Sequence, residues 1–406
     1  MRIIPIAPAE PAARAVGAQP ALQALPPLAL YLHYPWCVRK CPYCDFNSHE
    51  FKGDVPEEAY LAALIADLEA ALPQIWGRRI VSLFIGGGTP SLISAAGLDQ
   101  LLTAIRARLP LLPDAEITLE ANPGTVEAGK FAAFRASGIN RISLGIQSFD
   151  DRHLAALGRI HSALEARHAI DLALAHFERV NLDLIYALPQ QTLAQARHDI
   201  AAAAASGASH VSAYHLTLEP NTPFHHAPPS LPDDDLAADM QDTVEAELAA
   251  AGFEHYETSA FARPGQRCLH NLNYWHFGDY LGIGAGAHGK ISSPAGIVRE
   301  TRRKHPREYL DAAAQGDFVQ QRSDIGSDQL PVEFMMNALR LCQGFPLRLF
   351  EERTGLPVAT LTQPLLQAQQ RGLLAIADAQ VVPTLQGQRF LNDLLQIFFP
   401  GEAGNM

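Results

Sequence analysis

The sequence predicts an α/β protein: a partial (β/α)6 barrel of the TIM type, followed by a mostly helical, winged-helix-like C-terminal domain. Three observations carry this. Six short β-type runs, at 28–33, 81–85, 116–121, 141–147, 180–186 and 210–218, alternate with helical segments, the pattern of a parallel sheet made of βα units. Residues able to do chemistry stand at the C-terminal ends of these runs, the edge on which barrels build their sites. Beyond residue 324 the alternation gives way to helices and two short strand-like pieces.

The first run leads into Cys37-Val-Arg-Lys-Cys41-Pro-Tyr-Cys44, and the second into Gly86-Gly-Gly-Thr-Pro90. Glu120 ends the third and Gln147 the fourth, Asp183 lies late in the fifth, and Tyr214 and His215 lie in the sixth. Between them, 56–72, 98–109, 163–177 and 194–205 are expected to be helices. Six units instead of eight predict a barrel open on one side, occupying 28–225. Residues 226–323 read as an extension of helix (233–251) and loop (268–288). Residues 324–406 form the C-terminal domain, with helices at 331–342, 346–354, 361–371 and 385–399 around strand-like pieces at 373–377 and 380–383. Residues 1–27 are rich in Ala and Pro, lack a continuous apolar stretch, and fit a secretory signal poorly. They are expected to be a disordered lead, and the protein cytoplasmic.

A chain of 406 residues has room for two or three domains and a large core. No run is long enough to span a membrane, which leaves at most peripheral membrane contact. The formal net charge of −12 argues against a nucleic-acid-binding surface, which would show a basic stripe.

Of five cysteines, Cys37, Cys41 and Cys44 crowd into eight residues with C-x3-C-x2-C spacing, while Cys268 and Cys342 stand apart. In a reducing compartment such a trio binds metal in preference to forming disulfides. Thiolates are the ligands of iron–sulfur clusters, and three of them on a [4Fe–4S] cubane leave one iron open. An open iron can chelate the amino and carboxylate groups of a methionine-type ligand, which points to S-adenosylmethionine; one electron into its sulfonium would release a 5′-deoxyadenosyl radical. The competing reading, structural zinc, wants a fourth nitrogen or sulfur ligand. Only His33 or His49 stands near, at unusual spacing.

Glu120 and Asp183 are carboxylates inside apolar strands, where such groups need a partner. A ribose hydroxyl or a cationic sulfonium ligand would satisfy them, and so would an ion pair with Arg141 or Arg159. Residues 284–289 match G-x-G-x-x-G, but residues 290–296 do not continue as a helix, so a dinucleotide site is rejected.

The segments Tyr31-Leu-His33-Tyr-Pro35-Trp-Cys37, Cys41-Pro-Tyr43-Cys44-Asp-Phe46, Glu120-Ala-Asn-Pro123, Ser143-Leu-Gly-Ile-Gln147, Asp183-Leu-Ile-Tyr186 and His270-Asn-Leu-Asn-Tyr274-Trp275 carry a resemblance. They resemble the oxygen-independent coproporphyrinogen III oxidase-like family of the radical S-adenosylmethionine superfamily, and within it the heme chaperones, over nearly all of 28–399. The resemblance implies that Tyr31, Tyr43, Gly87, Gly88, Thr89, Glu120, Gln147, Arg159 and Asp183 bind the S-adenosylmethionine cofactor. It also implies that 86–88 holds the cofactor's amino group. Oxidases of the family carry a fourth cysteine two residues after the third, where this chain has Phe46, and a longer N-terminal arm. Both departures favour a chaperone that passes heme to acceptor proteins such as respiratory hemoproteins; the alternative is radical decarboxylation of coproporphyrinogen III. The H-N-x-x-Y-W signature places heme near His270, with Tyr274 and Trp275 able to stack on the macrocycle. His225, His226, His288 and Cys268 are further candidate ligands.

Overall fold

A computed structural model describes residues 22–51, 53, 55–125 and 128–399. The lead expected over 1–27 therefore lies largely outside the described residues. Its last two residues are tied down: Pro26 O accepts from Arg78 Nη2, and Pro27 O from the amide of Asp279.

The six expected strands are present as β1 (Leu28–Tyr34), β2 (Ile80–Gly87), β3 (Leu111–Ala121), β4 (Arg141–Gln147), β5 (Arg179–Tyr186) and β6 (His210–His215). They pair in chain order, each parallel to the next. Sequential order is that of a barrel arc, since a doubly wound sheet would reverse partway. The strands are apolar with little alternation because helices cover one face and the barrel interior the other. The helices begin where polar side chains cap them. Ser162 and Thr192 form capping boxes with Glu165 and Gln195, and Ser94, Asp150 and Asp233 cap three more.

In the segment expected to be helix and loop, the helix is present as Asp234–Ala250, and much of the rest forms strands that join the sheet. β7 (Glu254–Glu257) and β8 (Ala260–Ala262) extend the sheet beyond β6. β9 (Asp279–Ile283) lies parallel to β1 on the other side, followed outward by β10 (His288–Ser293), β11 (Gly296–Arg302) and β12 (Val319–Asp324). Among the described residues this makes one sheet of 12 strands. The expected loop 268–288 thus holds the helix Leu269–Trp275 and strand β9. The strand is five residues long and its parallel partner is about 250 residues away in sequence, so no local signal marks it. The G-x-G-x-x-G stretch is the turn from β9 into the antiparallel β10, with no helix after it.

The C-terminal domain combines the helices Leu330–Ala338, Arg348–Thr354 and Thr362–Gln370 with a small sheet of Phe345–Pro346, Gln380–Pro383 and Leu374–Ala377. The last expected helix is broken at Phe390 into Leu385–Arg389 and Leu391–Gln396. Phe334, Phe345 and Phe350 centre a core that also takes in Phe277 and Ile297 from the sheet side. Arg389 adds ion pairs to Asp242 and Glu245 on the helix Asp234–Ala250.

Candidate cofactor site

The C-terminal ends of β2 to β6 surround a cavity of about 400 Å³. The loop after β1 forms one wall and carries Cys37, Cys41 and Cys44 into it. That loop is closed at its base by pairing of Trp36–Cys37 with His49–Glu50, and Lys40 Nζ braces it by donating to the carbonyls of Phe46 and Ser48. All three cysteines are free thiols, partly exposed. Burial raises the pKa of Cys37 and of Cys44. Among the described residues no three His, Cys, Asp or Glu side chains converge closely enough to hold a single metal ion. A cubane, whose irons occupy separate corners, does not need that convergence.

Arg159 reaches the thiols from beyond β4. Its Nη1 is 3.7 Å from Cys41 Sγ, its Nη2 donates to Gly145 O at 2.7 Å, and its buried Nε has no partner. A buried guanidinium nitrogen left unpaired beside three thiols suits an acceptor that the protein itself does not supply. Tyr43 lines the same wall, its ring 6.5 Å from that of Phe224.

Across the cavity, strand register aligns Glu120 with Ser143, and Asp183 with Gly145 and Ser212. Glu120 Oε2 accepts from Gly87 N–H at 3.1 Å, and Asp183 accepts from Ser143 Oγ and Asn181 Nδ2. Among the described residues neither carboxylate is in an ion pair: Arg141 faces Glu116 at 3.9 Å, and Arg159 is engaged as above. Burial, with Asp183 adding repulsion, pushes the Glu120 carboxyl up to about 8, and burial raises Asp183 as well. Two acids facing one space, both shifted by burial toward the neutral form, are poised for hydroxyl or cationic groups of a ligand. Gln147 closes β4 with φ at 68°, a left-handed conformation that costs a non-glycine residue energy and marks a constrained site.

Gly87, Gly88 and Thr89 line the cavity beside Cys37, with the Gly88 and Thr89 amides donating to the carbonyls of Tyr34 and Trp36. Gly87 sits at φ 117°, and a Cβ on Gly88 would lie 2.5 Å from Trp36 O. Glycine here lets the loop lie directly against the strand that launches the cysteine loop.

The cavity thus brings together every predicted site residue except Tyr31 and His270. Tyr31 stands behind it on β1, its Oη bonded to His33 Nδ1 at 3.0 Å. His270 is elsewhere: it is 1% exposed on the helix Leu269–Trp275, its ring stacked on Phe84. Nδ1 bonds Ser82 Oγ at 2.9 Å and Nε2 bonds Tyr274 Oη at 3.0 Å, so neither nitrogen is free to ligate iron in this conformation. Burial holds its pKa at about 3, which keeps the ring neutral. Cys268 is likewise buried, its Sγ on Glu116. His225, His226 and His288 are exposed.

Sequence reasoning missed Ser143, Asn181, His210 and Ser212, which fill the barrel interior beneath Asp183. Their signal was available: polar residues two apart in apolar strands, Asn181 with Asp183 and His210 with Ser212 and Tyr214, share one face.

The family model for the radical SAM superfamily matches residues 31–203, and that for the HemN C-terminal domain matches 327–390. A relative from Escherichia coli (strain K12) named heme chaperone HemW is 48% identical over 92% of this chain and 98% of its own length. The heme chaperone HemW of Haemophilus influenzae is 47% identical over 93% and 99%. A Bos taurus mitochondrial protein named radical S-adenosyl methionine domain-containing protein 1 is 35% identical over 90% and 86%. The solved structure of coproporphyrinogen III oxidase (HemN) from Escherichia coli, a radical SAM enzyme, superposes with a TM-score of 0.79 over 92% of this chain and 90% of its own, at 22% identity, a likeness of fold. The chain therefore belongs to the oxygen-independent coproporphyrinogen III oxidase-like family of the radical SAM superfamily, in the group of the heme chaperones named HemW.

Proposed function

We propose that this protein is a heme chaperone: it carries a [4Fe–4S] cluster and S-adenosylmethionine in the barrel cavity, binds heme, and delivers it to acceptor proteins such as respiratory hemoproteins in the cytoplasm or at the membrane face. The observation that carries the cofactor part is the meeting of Cys37, Cys41 and Cys44 with the unpaired Arg159 Nε and the acids Glu120 and Asp183 around one cavity. Cys37, Cys41 and Cys44 would hold the cluster. Gly87, Gly88, Thr89, Glu120, Gln147, Arg159 and Asp183 would hold the S-adenosylmethionine, with Tyr43 beside the thiols and Tyr31 supporting from β1. The bound cluster would supply one-electron chemistry to the sulfonium. Arg159 contributes positive charge at the thiolates, and the two carboxylates contribute acceptors for hydroxyls.

The chaperone part is supported by the names of relatives 48% and 47% identical over almost their full lengths, against 22% for the oxidase. Phe46, where the oxidases carry a fourth cysteine, projects at the cavity rim, 58% exposed. Heme ligation by His270 requires its ring to release Tyr274 within the helix Leu269–Trp275, or the helix to leave its seat and give up the bonds to Ser82 and Glu116. His215, His225, His226 and His288 already face solvent.

The test is a heme titration of cluster-reconstituted protein, followed in the Soret region, beside an assay with coproporphyrinogen III, reductant and S-adenosylmethionine. Stoichiometric heme binding without formation of protoporphyrinogen IX is expected. Robust decarboxylation, or no heme bound at micromolar concentration, refutes the chaperone reading. A His270→Ala variant whose heme spectrum matches the wild type moves the ligand to the exposed histidines.

A further inference from the structure

A chain of hydrogen bonds crosses the barrel interior from the cavity to the helix that carries the H-N-x-x-Y-W signature. Asn181 Nδ2 donates to Asp183 Oδ1 at 2.8 Å and to Ser143 Oγ at 2.7 Å, and Ser143 Oγ donates to Asp183 Oδ2 at 2.9 Å. Both oxygens of Asp183 are thus held from below. Asn181 Oδ1 faces His210 Nδ1 at 2.5 Å and accepts from Ser212 Oγ at 3.1 Å. The donor directions are set by this arrangement. The amide nitrogen of Asn181 is committed to Asp183 and Ser143, so its oxygen faces His210, whose proton must sit on Nδ1. His210 Nε2 then accepts from Tyr256 Oη at 2.9 Å, and Tyr256 Oη accepts from the amide of Cys268 at 3.4 Å. Cys268 is the N-cap residue of the helix Leu269–Trp275. Every donor along this line points toward Asp183.

The line is sealed from water, with His210 and Tyr256 each 1% exposed and Asn181 4%. Burial, helped by Arg141 and Arg179, lowers the pKa of His210 well below its usual value, so the ring stays neutral. A neutral ring with one nitrogen donating and the other accepting transmits orientation: its two partners cannot both be satisfied if it flips.

We propose that His210 and Tyr256 are positioning residues that set Asp183 through Asn181 and couple occupancy of the cavity to the helix Leu269–Trp275. This rests on reading the cavity as an S-adenosylmethionine site. A ligand that bonds Asp183 competes for the lone pairs now shared with Asn181 and Ser143. A tilt of the Asn181 amide is passed to His210 and through Tyr256 to the Cys268 amide. Coupling of this kind is reciprocal, so a loosened helix weakens the ligand by the same factor that the ligand tightens the helix.

The test uses the full-length, cluster-reconstituted protein with S-adenosylmethionine as the probe. Affinity is read by calorimetry, and the helix by hydrogen exchange of amides 268–275. In the wild type the ligand slows exchange across 268–275. Tyr256→Phe keeps the ring under Arg267 and removes one hydroxyl. It should raise Kd about three- to tenfold, the loss of one buried hydrogen bond, and abolish the ligand-induced protection, with iron content unchanged. His210→Asn retains a donor for Asn181 but cannot reach Tyr256. By the same reciprocity it should raise Kd by a comparable factor, about three- to tenfold, and lose the protection, while exchange of amides outside 268–275 stays as in the wild type, a localisation that general destabilisation would not produce. Wild-type affinity together with wild-type protection in both variants overturns the proposal. A wild-type protein that binds cluster but no S-adenosylmethionine overturns the cofactor reading and the proposal with it.

Discussion

Replacing Glu120 by glutamine removes one ionisation from the cavity and little else. Glutamine is isosteric, and its oxygen can still accept from Gly87 N–H, now 3.1 Å from Glu120 Oε2. Burial and the neighbouring Asp183 hold the Glu120 carboxyl at about 8, against the usual 4.5. Between those values the folded protein keeps a proton that the unfolded chain has lost. The folded state then binds more protons, so the contribution is fully present below about pH 4.5 and is lost as pH rises through about 8. At about 1.4 kcal/mol for each tenfold change in proton affinity, the ceiling is roughly 5 kcal/mol. Glu120 opens on the cavity, where water screens it, and about 2 kcal/mol is the better expectation. For a chain of 406 residues that corresponds to about 2–3 °C in Tm. Scanning calorimetry of the reduced, cofactor-free protein at pH 5 and pH 8 should show the wild type losing about that much more than Glu120→Gln. Asp183 is raised in the same direction by burial, and because the two acids repel each other the difference reports the pair, with relief of Asp183 in Glu120→Gln adding to it in the same sense. Equal pH slopes for the two proteins would show that Glu120 ionises freely in the folded state.

Cys37→Ala, Cys41→Ala and Cys44→Ala should each prevent reconstitution of about four irons per chain, whereas Cys342→Ala, far from the cavity, should leave iron content intact; iron and sulfide analysis decides. Gly88→Ala drives a methyl to 2.5 Å from Trp36 O, and should cost about 1–3 kcal/mol by overpacking and lower iron loading, because Trp36 precedes Cys37. His270→Ala leaves Ser82 and Tyr274 without a partner and empties a buried site, so thermal or urea unfolding should show a loss of about 2–4 kcal/mol. An unchanged Tm in that variant would mean the ring is not seated as described.

The barrel and the cluster loop were legible because their signals are local. Each strand is a short apolar run bounded by turn residues, and each helix announces itself by a cap such as Ser162 with Glu165. The three cysteines occupy eight consecutive residues, so a metal-binding triad could be proposed from spacing. Glu120 and Asp183 were visible as charges in apolar strands. Asn181 and His210 were as visible in principle, but a polar residue in a strand says only that it needs a partner, not which one. His210 finds Asn181 because β5 and β6 pair in register, and Tyr256 because β7 pairs with β8, which lies antiparallel beside β6.

By itself the sequence determined the α/β class, the order of the six βα units, the cysteine triad after the first strand, and the acids and glycines at the strand ends. All of these depend on periodicity or on neighbours a few residues away. The tertiary structure alone decided that β9 joins β1 as a seventh parallel strand and that the H-N-x-x-Y-W helix packs into the barrel with its histidine buried. It also decided that Arg141 pairs with Glu116, so that Asp183 faces the cavity held by Ser143 and Asn181 and not by an arginine. These outcomes turn on contacts between residues 25 to about 250 positions apart, and which distant group satisfies a buried donor or acceptor is fixed only once the whole sheet has closed around it.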